Sequence, residues 1–280
     1  MEPTLKTLVI CLIFLWIPYS RQERFQCQDE PIVVQWHQEE SCVHLNSNQN
    51  NFLELETDSL QNLQNYTVLE LVNSSFTQFG SNHFHAIPPH IEKLAIYHGN
   101  VTEVYFLSES LRSLSVLDTN LFRFFAAEQE NRELKTLEIR SKFMVAVPFS
   151  IEYLKGLEKL ILRGCNLTMV DMKQLGRLEN LIVLDLAENA IITIDIPLKV
   201  TLASVRELYI EDNFLREMNN FPMALPGLRT LSLFGNMWYC DWVTEVRKRI
   251  MKAWIMVYGG DGDCENGIYN GGLCCDERPG

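Results

Sequence analysis

"LIVLDLAENAIITI" (residues 181–194) and "VRELYIEDNFLREM" (residues 205–218) decide how this chain folds. Both read L-x-x-L-x-L-x-x-N-x-L-x-x-L once conservative apolar exchanges are allowed, and they start 24 residues apart. The same frame fits six further segments. They are "YTVLELVNSSFTQF" from Tyr66, "IEKLAIYHGNVTEV" from Ile91, "LRSLSVLDTNLFRF" from Leu111, "LKTLEIRSKFMVAV" from Leu134, "LEKLILRGCNLTMV" from Leu157 and "LRTLSLFGNMWYCD" from Leu228. Successive starts are 25, 20, 23, 23, 24, 24 and 23 residues apart. An imperfect earlier copy, "CVHLNSNQNNFLEL", is read from Cys42. Self-similarity at such a period means one supersecondary unit stacked on its own copies.

Within each copy the x-L-x-L-x alternation is that of a strand with one face buried. The ninth position favours Asn, whose side chain can satisfy backbone groups of the neighbouring coil. Asn189, Asn213 and Asn236 fill it late in the chain, whereas Ser74, Gly99, Thr119 and Lys142 fill it earlier. The N-terminal half is therefore expected to be less regular. Frame and spacing resemble those of leucine-rich-repeat proteins. The resemblance implies an α/β solenoid, a leucine-rich-repeat horseshoe with a parallel concave sheet and disulfide-stapled N- and C-terminal caps. Caps are needed because a solenoid exposes its core at both ends. The expected organisation is a signal peptide at 1–20, an N-terminal cap at 21–50, leucine-rich repeats at 51–236 and a C-terminal cysteine cap at 237–280.

"LKTLVICLIFLWIPYS" (residues 5–20) has Lys6, an apolar run over residues 8–17, then Pro18 and Ser20. The run is far short of the ~20 residues that span a bilayer. It has the layout of a secretory signal, with cleavage expected between Ser20 and Gln26. No later segment is apolar enough to span a membrane, so a secreted, extracellular chain is expected. In that oxidising compartment cysteines pair. Loss of Cys11 with the signal leaves seven, so one is free or bonds another chain. Cys165 occupies a ninth position, where the repeat consensus allows Cys, and is read as a buried free thiol. The other six lie at the two ends: Cys27 and Cys42 around "PIVVQW", and Cys240, Cys264, Cys274 and Cys275 in the C-terminal cap.

Adjacent cysteines have Cα atoms about 3.8 Å apart, below the usual disulfide range of about 4.4–6.8 Å. Cys274 and Cys275 are therefore expected to reach different partners, Cys240 or Cys264, in an order the sequence leaves open. A zinc site is disfavoured, since paired C-x-x-C knuckles are lacking. In "MWYCDWVTEVRKRIMKAW" (residues 237–254), Trp242, Val243, Val246, Ile250 and Trp254 recur at helical spacing. This predicts a lid helix over the last repeat. Arg247, Lys248, Arg249 and Lys252 crowd its other side and read as a solvated face.

A net charge of −12 argues against nucleic-acid binding, which needs cations to neutralise phosphates. No hydrolase, metalloprotease or phosphate-loop motif is present, so no catalytic residue is assigned and no enzyme activity is expected. "NHFHAIPPH" (residues 82–90) holds His83, His85 and His90 but no nearby third and fourth donor, and it reads as an irregular loop. "YGGDGDCENG" (residues 258–267) lacks the full calcium-loop spacing and reads as a turn-rich stretch of the cap. No metal or cofactor is expected.

The fifth and seventh positions of each repeat should face the concave surface. Tyr97, Arg140, Arg163, Tyr209 and Phe234 are the anchors this predicts, since aromatics and arginines dominate interfaces. Asp185 and Glu211, flanked by Glu188, Glu207 and Asp212, make the late section acidic. Such a surface suits a charged protein epitope better than a lipid. Sequons at Asn65, Asn73, Asn100 and Asn166 fit a secreted glycoprotein. A glycan on Asn73 would push binding towards the later repeats.

The C-terminal cap narrows the resemblance. "GNMWYCDWV" has one Cys where secreted repeat caps usually have C-x-C, and "DCENGIYNGGLCCDERPG" then ends in a Cys-Cys doublet. This pattern resembles the mosquito leucine-rich-repeat immune (LRIM) family, in its short, coil-less form. The resemblance implies a haemolymph protein of insect innate immunity that recognises or scaffolds a complement-like thioester protein or a pathogen surface. With no heptads after Cys275, a monomer is expected rather than a dimer. A soluble receptor-like decoy and an extracellular-matrix adhesion protein are the alternative readings.

Overall fold

The computed structural model describes residues 66–264 and 267–279 in full and the backbone of the strand Cys42–Asn46. The expected signal peptide, the Cys27–Cys42 pair and Asn65 lie outside the described residues.

Each repeat contributes one strand to a ten-stranded parallel sheet that runs in chain order from Cys42–Asn46 to Met256–Tyr258. The register follows the sequence frame. Val68 pairs with Lys93, Lys93 with Ser113, Ser113 with Thr136, and so on to Glu207 with Thr230. The fourth and sixth positions point inward, and Leu69, Leu71, Leu94, Ile96, Leu184 and Leu186 are fully or almost fully buried. This is a leucine-rich-repeat solenoid, and the long sheet is its concave face.

Two strands lie where the sequence frame did not put them. Cys42 pairs with Val68, so the first copy is framed from Glu40 and not from Cys42; that places Val43 and Leu45 beside Leu69 and Leu71. Main-sheet pairing thus begins inside the segment expected as the N-terminal cap. At the other end, Met256–Tyr258 adds a strand beyond the last repeat, beside Thr230–Ser232.

The Asn ladder explains the regular half. Asn213 Nδ2 donates to the carbonyls of Leu186, Ile210 and Glu211, and its Oδ1 accepts from Ile191 N. Asn189 and Asn236 repeat the arrangement one coil away on either side. Earlier coils solve the same problem with smaller groups. Gly99 sits where a Cβ would lie 2.0 Å from Ser74 O, so the coil closes there only without a side chain. In the copy from Leu134 the buried polar group is Ser141, one place before Lys142, and its hydroxyl donates to Thr119 O at 2.9 Å. A run of aromatics compensates in this half: Phe79 meets Phe84 edge-on at 4.9 Å, and Phe84 meets Phe106 at 5.3 Å. Such contacts add about 0.5–1.5 kcal/mol each to the burial of the rings.

The eighth position carries a left-handed backbone in seven copies: Asn73, His98, Asp118, Gly164, Glu188, Asp212 and Gly235. It is the turn by which the chain leaves the concave sheet. Glycine, Asn and Asp tolerate it; Glu188 does so at some cost.

The lid helix spans Cys240–Lys252 and buries Val243, Val246 and Ile250. Trp242 stacks on the fully buried Trp238 at 4.3 Å. Trp254 is not part of the lid: it is 89% exposed, with φ of 55°. The helix stops before it, and Ile255 N closes back on Ile250 O at 3.1 Å, so Ile255 takes the buried place. Of the basic run, Arg247 donates to Asn270 O, and Lys248 and Arg249 pair with Glu245.

Candidate functional site

The concave face carries a charged cluster built across three coils. Arg163 comes from the seventh position of its repeat, Asp185 from the fifth and Glu188 from the eighth of the next, and Glu211 from the seventh of the one after. The Arg163 guanidinium donates to Glu188 Oε1 through Nε (3.1 Å) and Nη2 (2.8 Å), and to Glu211 Oε1 through Nη1 (2.8 Å). Asp185 Oδ2 lies 3.5 Å from Nη1. One cation therefore meets three carboxylates.

Neighbouring strands bring these groups together because the parallel register places Asp185 beside Ile161 and Tyr209. They also bury each other. Asp185 is 5% exposed and Glu211 3% exposed. Glu211 Oε2 has no hydrogen-bond partner among the described residues. Burial disfavours the Arg163 charge, but Asp185, Glu211 and Glu188 outweigh it and hold the guanidinium pKa above its ordinary value. Asp185 is pushed up to about 6, first by burial and then by the Glu211 charge, against the pull of Ala187 N–H and Arg163. Asp212 is raised by burial and by Glu211 and Glu188.

The shift on Asp185 has a consequence for stability. The folded carboxyl binds its proton more tightly than the unfolded one, whose pKa is about 3.9. The contribution of Asp185 to stability is therefore lost as pH rises from about 4 through 6, by roughly 2–3 kcal/mol. Asp185→Asn should remove that slope and stabilise the protein at pH 7. Urea unfolding of both proteins between about pH 4 and 7 measures it; a wild-type slope unchanged in the variant would refute the assignment.

The expected anchors divide. Tyr97, Arg140 and Phe234 are half-exposed on the concave face. Arg163 keeps 19% of its side chain exposed and is committed to its carboxylates. Tyr209 is only 6% exposed, and its hydroxyl donates to Glu207 at 2.8 Å. Asp185, Tyr209 and Glu211 are thus pieces of the face's foundation more than contact groups. The fifth-position row is crowded because strands about 4.8 Å apart leave little room between its side chains.

The cysteines resolve the order the sequence left open: Cys240 bonds Cys275, and Cys264 bonds Cys274. Cys165 is unbonded and buried, donates to Ile139 O at 3.4 Å, and has its pKa raised by burial to about 11. Its thiol stays protonated and poorly nucleophilic at neutral pH. Asn73, Asn100 and Asn166 are exposed.

Sequence reasoning missed the role of Asp261. Its Oδ1 accepts from Gly235 N at 2.6 Å, and its Oδ2 accepts from Cys274 N at 2.5 Å. The DGD stretch therefore pins the cap to the last repeat. The first part of the histidine stretch, with His83 and His85, is a short helix, Ser81–Ala86, and only residues 87–90, with Pro88, Pro89 and His90, form the irregular loop. His83 Nδ1 accepts from Gly80 N at the start of the helix, while His85 Nδ1 lies 2.6 Å from Ser81 O. Among the described residues no group of three or more His, Cys, Asp or Glu could hold a metal ion, and no helix is long and apolar enough to cross a membrane.

The sequence of residues 155–215 matches the leucine rich repeat family profile. Comparison with curated proteins gives no match. Among solved structures, the mosquito LRIM1/APL1C complex superposes with a TM-score of 0.58 at 14% identity, covering 80% of this chain and 44% of that one. Human 5T4 (Wnt-activated inhibitory factor 1, trophoblast glycoprotein) superposes with 0.59 at 20% identity, covering 84% and 90%. The TLR13–ssRNA13 complex superposes with 0.55 at 22% identity, covering 65% and 27%. The chain thus spans less than half the length of the LRIM1/APL1C chain it resembles. Likeness at these identities establishes the fold. This chain is a leucine-rich-repeat solenoid similar in structure to the LRIM1/APL1C complex.

Proposed function

We propose that this chain is a secreted recognition protein of insect innate immunity whose concave face engages an extracellular protein: a complement-like thioester protein or a pathogen-surface protein. The carrying observation is the concave face itself. Three half-exposed anchors, Tyr97, Arg140 and Phe234, stand on a sheet stiffened by the Arg163 cluster. Preorganised anchors on a rigid sheet lose little entropy on binding. Acidic groups beside two arginines suit a partner with mixed surface charge. The structural likeness to the LRIM1/APL1C complex and the Cys-Cys cap support the immune setting. In this reading glycans on Asn73, Asn100 and Asn166 keep those edges clear of other contacts.

The test is capture from mosquito haemolymph on immobilised secreted protein, with Tyr97→Ala/Arg140→Glu as the control. Recovery of a thioester-type complement protein or a microbial surface protein, reduced at least about tenfold by the double variant, is the expected result. Capture unaffected by the variant would sink the concave-face reading. Recovery of a developmental ligand or of matrix components in its place would transfer the protein to the decoy or adhesion class.

A further inference from the structure

The geometry points to a second interaction surface, at the far end of the sheet from the anchors Tyr97 and Arg140: the outer edge of the terminal strand Met256–Tyr258, which pairs with the same strand of a second copy of this chain. The main sheet ends at this strand, and among the described residues nothing pairs with its outer side. Met256 N donates inward to Arg229 O at 2.7 Å, so the alternation of a parallel ladder turns the N–H and C=O of Val257 outward. Natural edge strands are commonly blunted by Lys, Pro or bulges. This one presents Met, Val and Tyr, all exposed.

The core is also open here. Val257 stands in register with Leu231, which is fully buried, yet Val257 is 42% exposed. It is a core position left part-exposed at the end of the sheet among the described residues.

A second copy fits this edge in a specific way. Two identical strands related by a two-fold axis pair antiparallel, and such an interface is self-complementary. With the axis at Val257, its N–H and C=O exchange both bonds with Val257 of the second copy. The two Val257 side chains then join the two cores. Met256 of each copy falls opposite Tyr258 of the other on the concave side. Trp254, among the most exposed large side chains described, lies two residues before the strand, at the flank of the seam.

Charge agrees with the same register. The antiparallel arrangement sets the chain entering the strand, with Lys252, on the side of the second copy's chain leaving it, with Asp263. Lys252 and Asp263 are both exposed. A partner lacking this order of basic, apolar and acidic groups would match the edge less well.

The experiment is sedimentation equilibrium on the full secreted chain between about 1 and 100 μM, under non-reducing conditions. The expected result is a reversible dimer that runs as a monomer on a non-reducing denaturing gel. Val257→Pro deletes the outward N–H, a change an edge strand accepts without losing inward bonds. It should weaken the dimer at least about tenfold with melting of the dilute monomer unchanged. Lys252→Glu should also weaken it, and Lys252→Glu/Asp263→Lys should restore it, which decides the matter if the proline variant does not fold. A wild-type monomer throughout, or a dimer indifferent to these changes, would overturn the inference. Concave-face capture is read through Tyr97 and Arg140, so its failure and the failure of this inference are told apart.

Discussion

Replacing Arg163 by Met should lower stability by about 3–5 kcal/mol at pH 7, the usual cost of removing one partner from a buried charged group. The reason lies in what remains. Asp185 and Glu211 are buried, and without the guanidinium two carboxylates face each other across adjacent coils with no cation between them. Glu211 Oε2 already has no partner among the described residues, so Oε1 would become the second orphan. The loss should shrink below about pH 6, where Asp185 takes up its proton and one of the repelling charges disappears. Urea midpoints at pH 7 and 5 measure both effects. Arg163→Met unfolding at the wild-type midpoint would mean that the cluster is ornamental. A full loss that persists at pH 5 would point to packing alone.

Removal of the Cys240–Cys275 bond by a double alanine substitution should cost about 4 kcal/mol, against about 3 for the Cys264–Cys274 bond. The difference comes from loop length, since the closed segments are 35 and 10 residues long. The first bond also ties the start of the lid helix to the strand Leu273–Asp276, which pairs with Trp238–Tyr239 on one side and with Ile268–Asn270 on the other. Its loss frees the lid, so Trp238 and Trp242 should become exposed before the repeats unfold. Tryptophan fluorescence during guanidinium unfolding reads the cap, and far-ultraviolet circular dichroism reads the sheet. Coincident transitions in the variant would show that cap and repeats unfold as one unit. Equal costs for the two bonds would show that loop entropy is not what separates them.

Much of this was legible in the chain. Alternating apolar positions every 20 to 25 residues can be satisfied only by stacking, because one coil cannot bury its own Leu row. Asn189, Asn213 and Asn236 were visible as a ladder because each needs the coil before it. A free Cys165 and paired C-terminal cysteines followed from their places in the frame, and the lid helix from Val243, Val246 and Ile250 at helical spacing. Frame and spacing also told which side chains share the concave face.

What sequence could not supply was distance across coils. Arg163, Asp185, Glu188 and Glu211 are up to 48 residues apart, and a list of charged positions does not say which ones close on each other. Nor could it show that Asp185 and Glu211 are buried, since crowding depends on the side chains two strands bring face to face. The same holds for Cys240 choosing Cys275, and for Asp261 reaching both Gly235 and Cys274. The strand Met256–Tyr258 was hidden too, because three apolar residues after a helix carry no period of their own. Repetition along the chain specified the fold because each copy states the same local rule. Pairings between copies, and the end where repetition stops, depend on which groups the stack brings within bonding distance, and only the tertiary structure decides that.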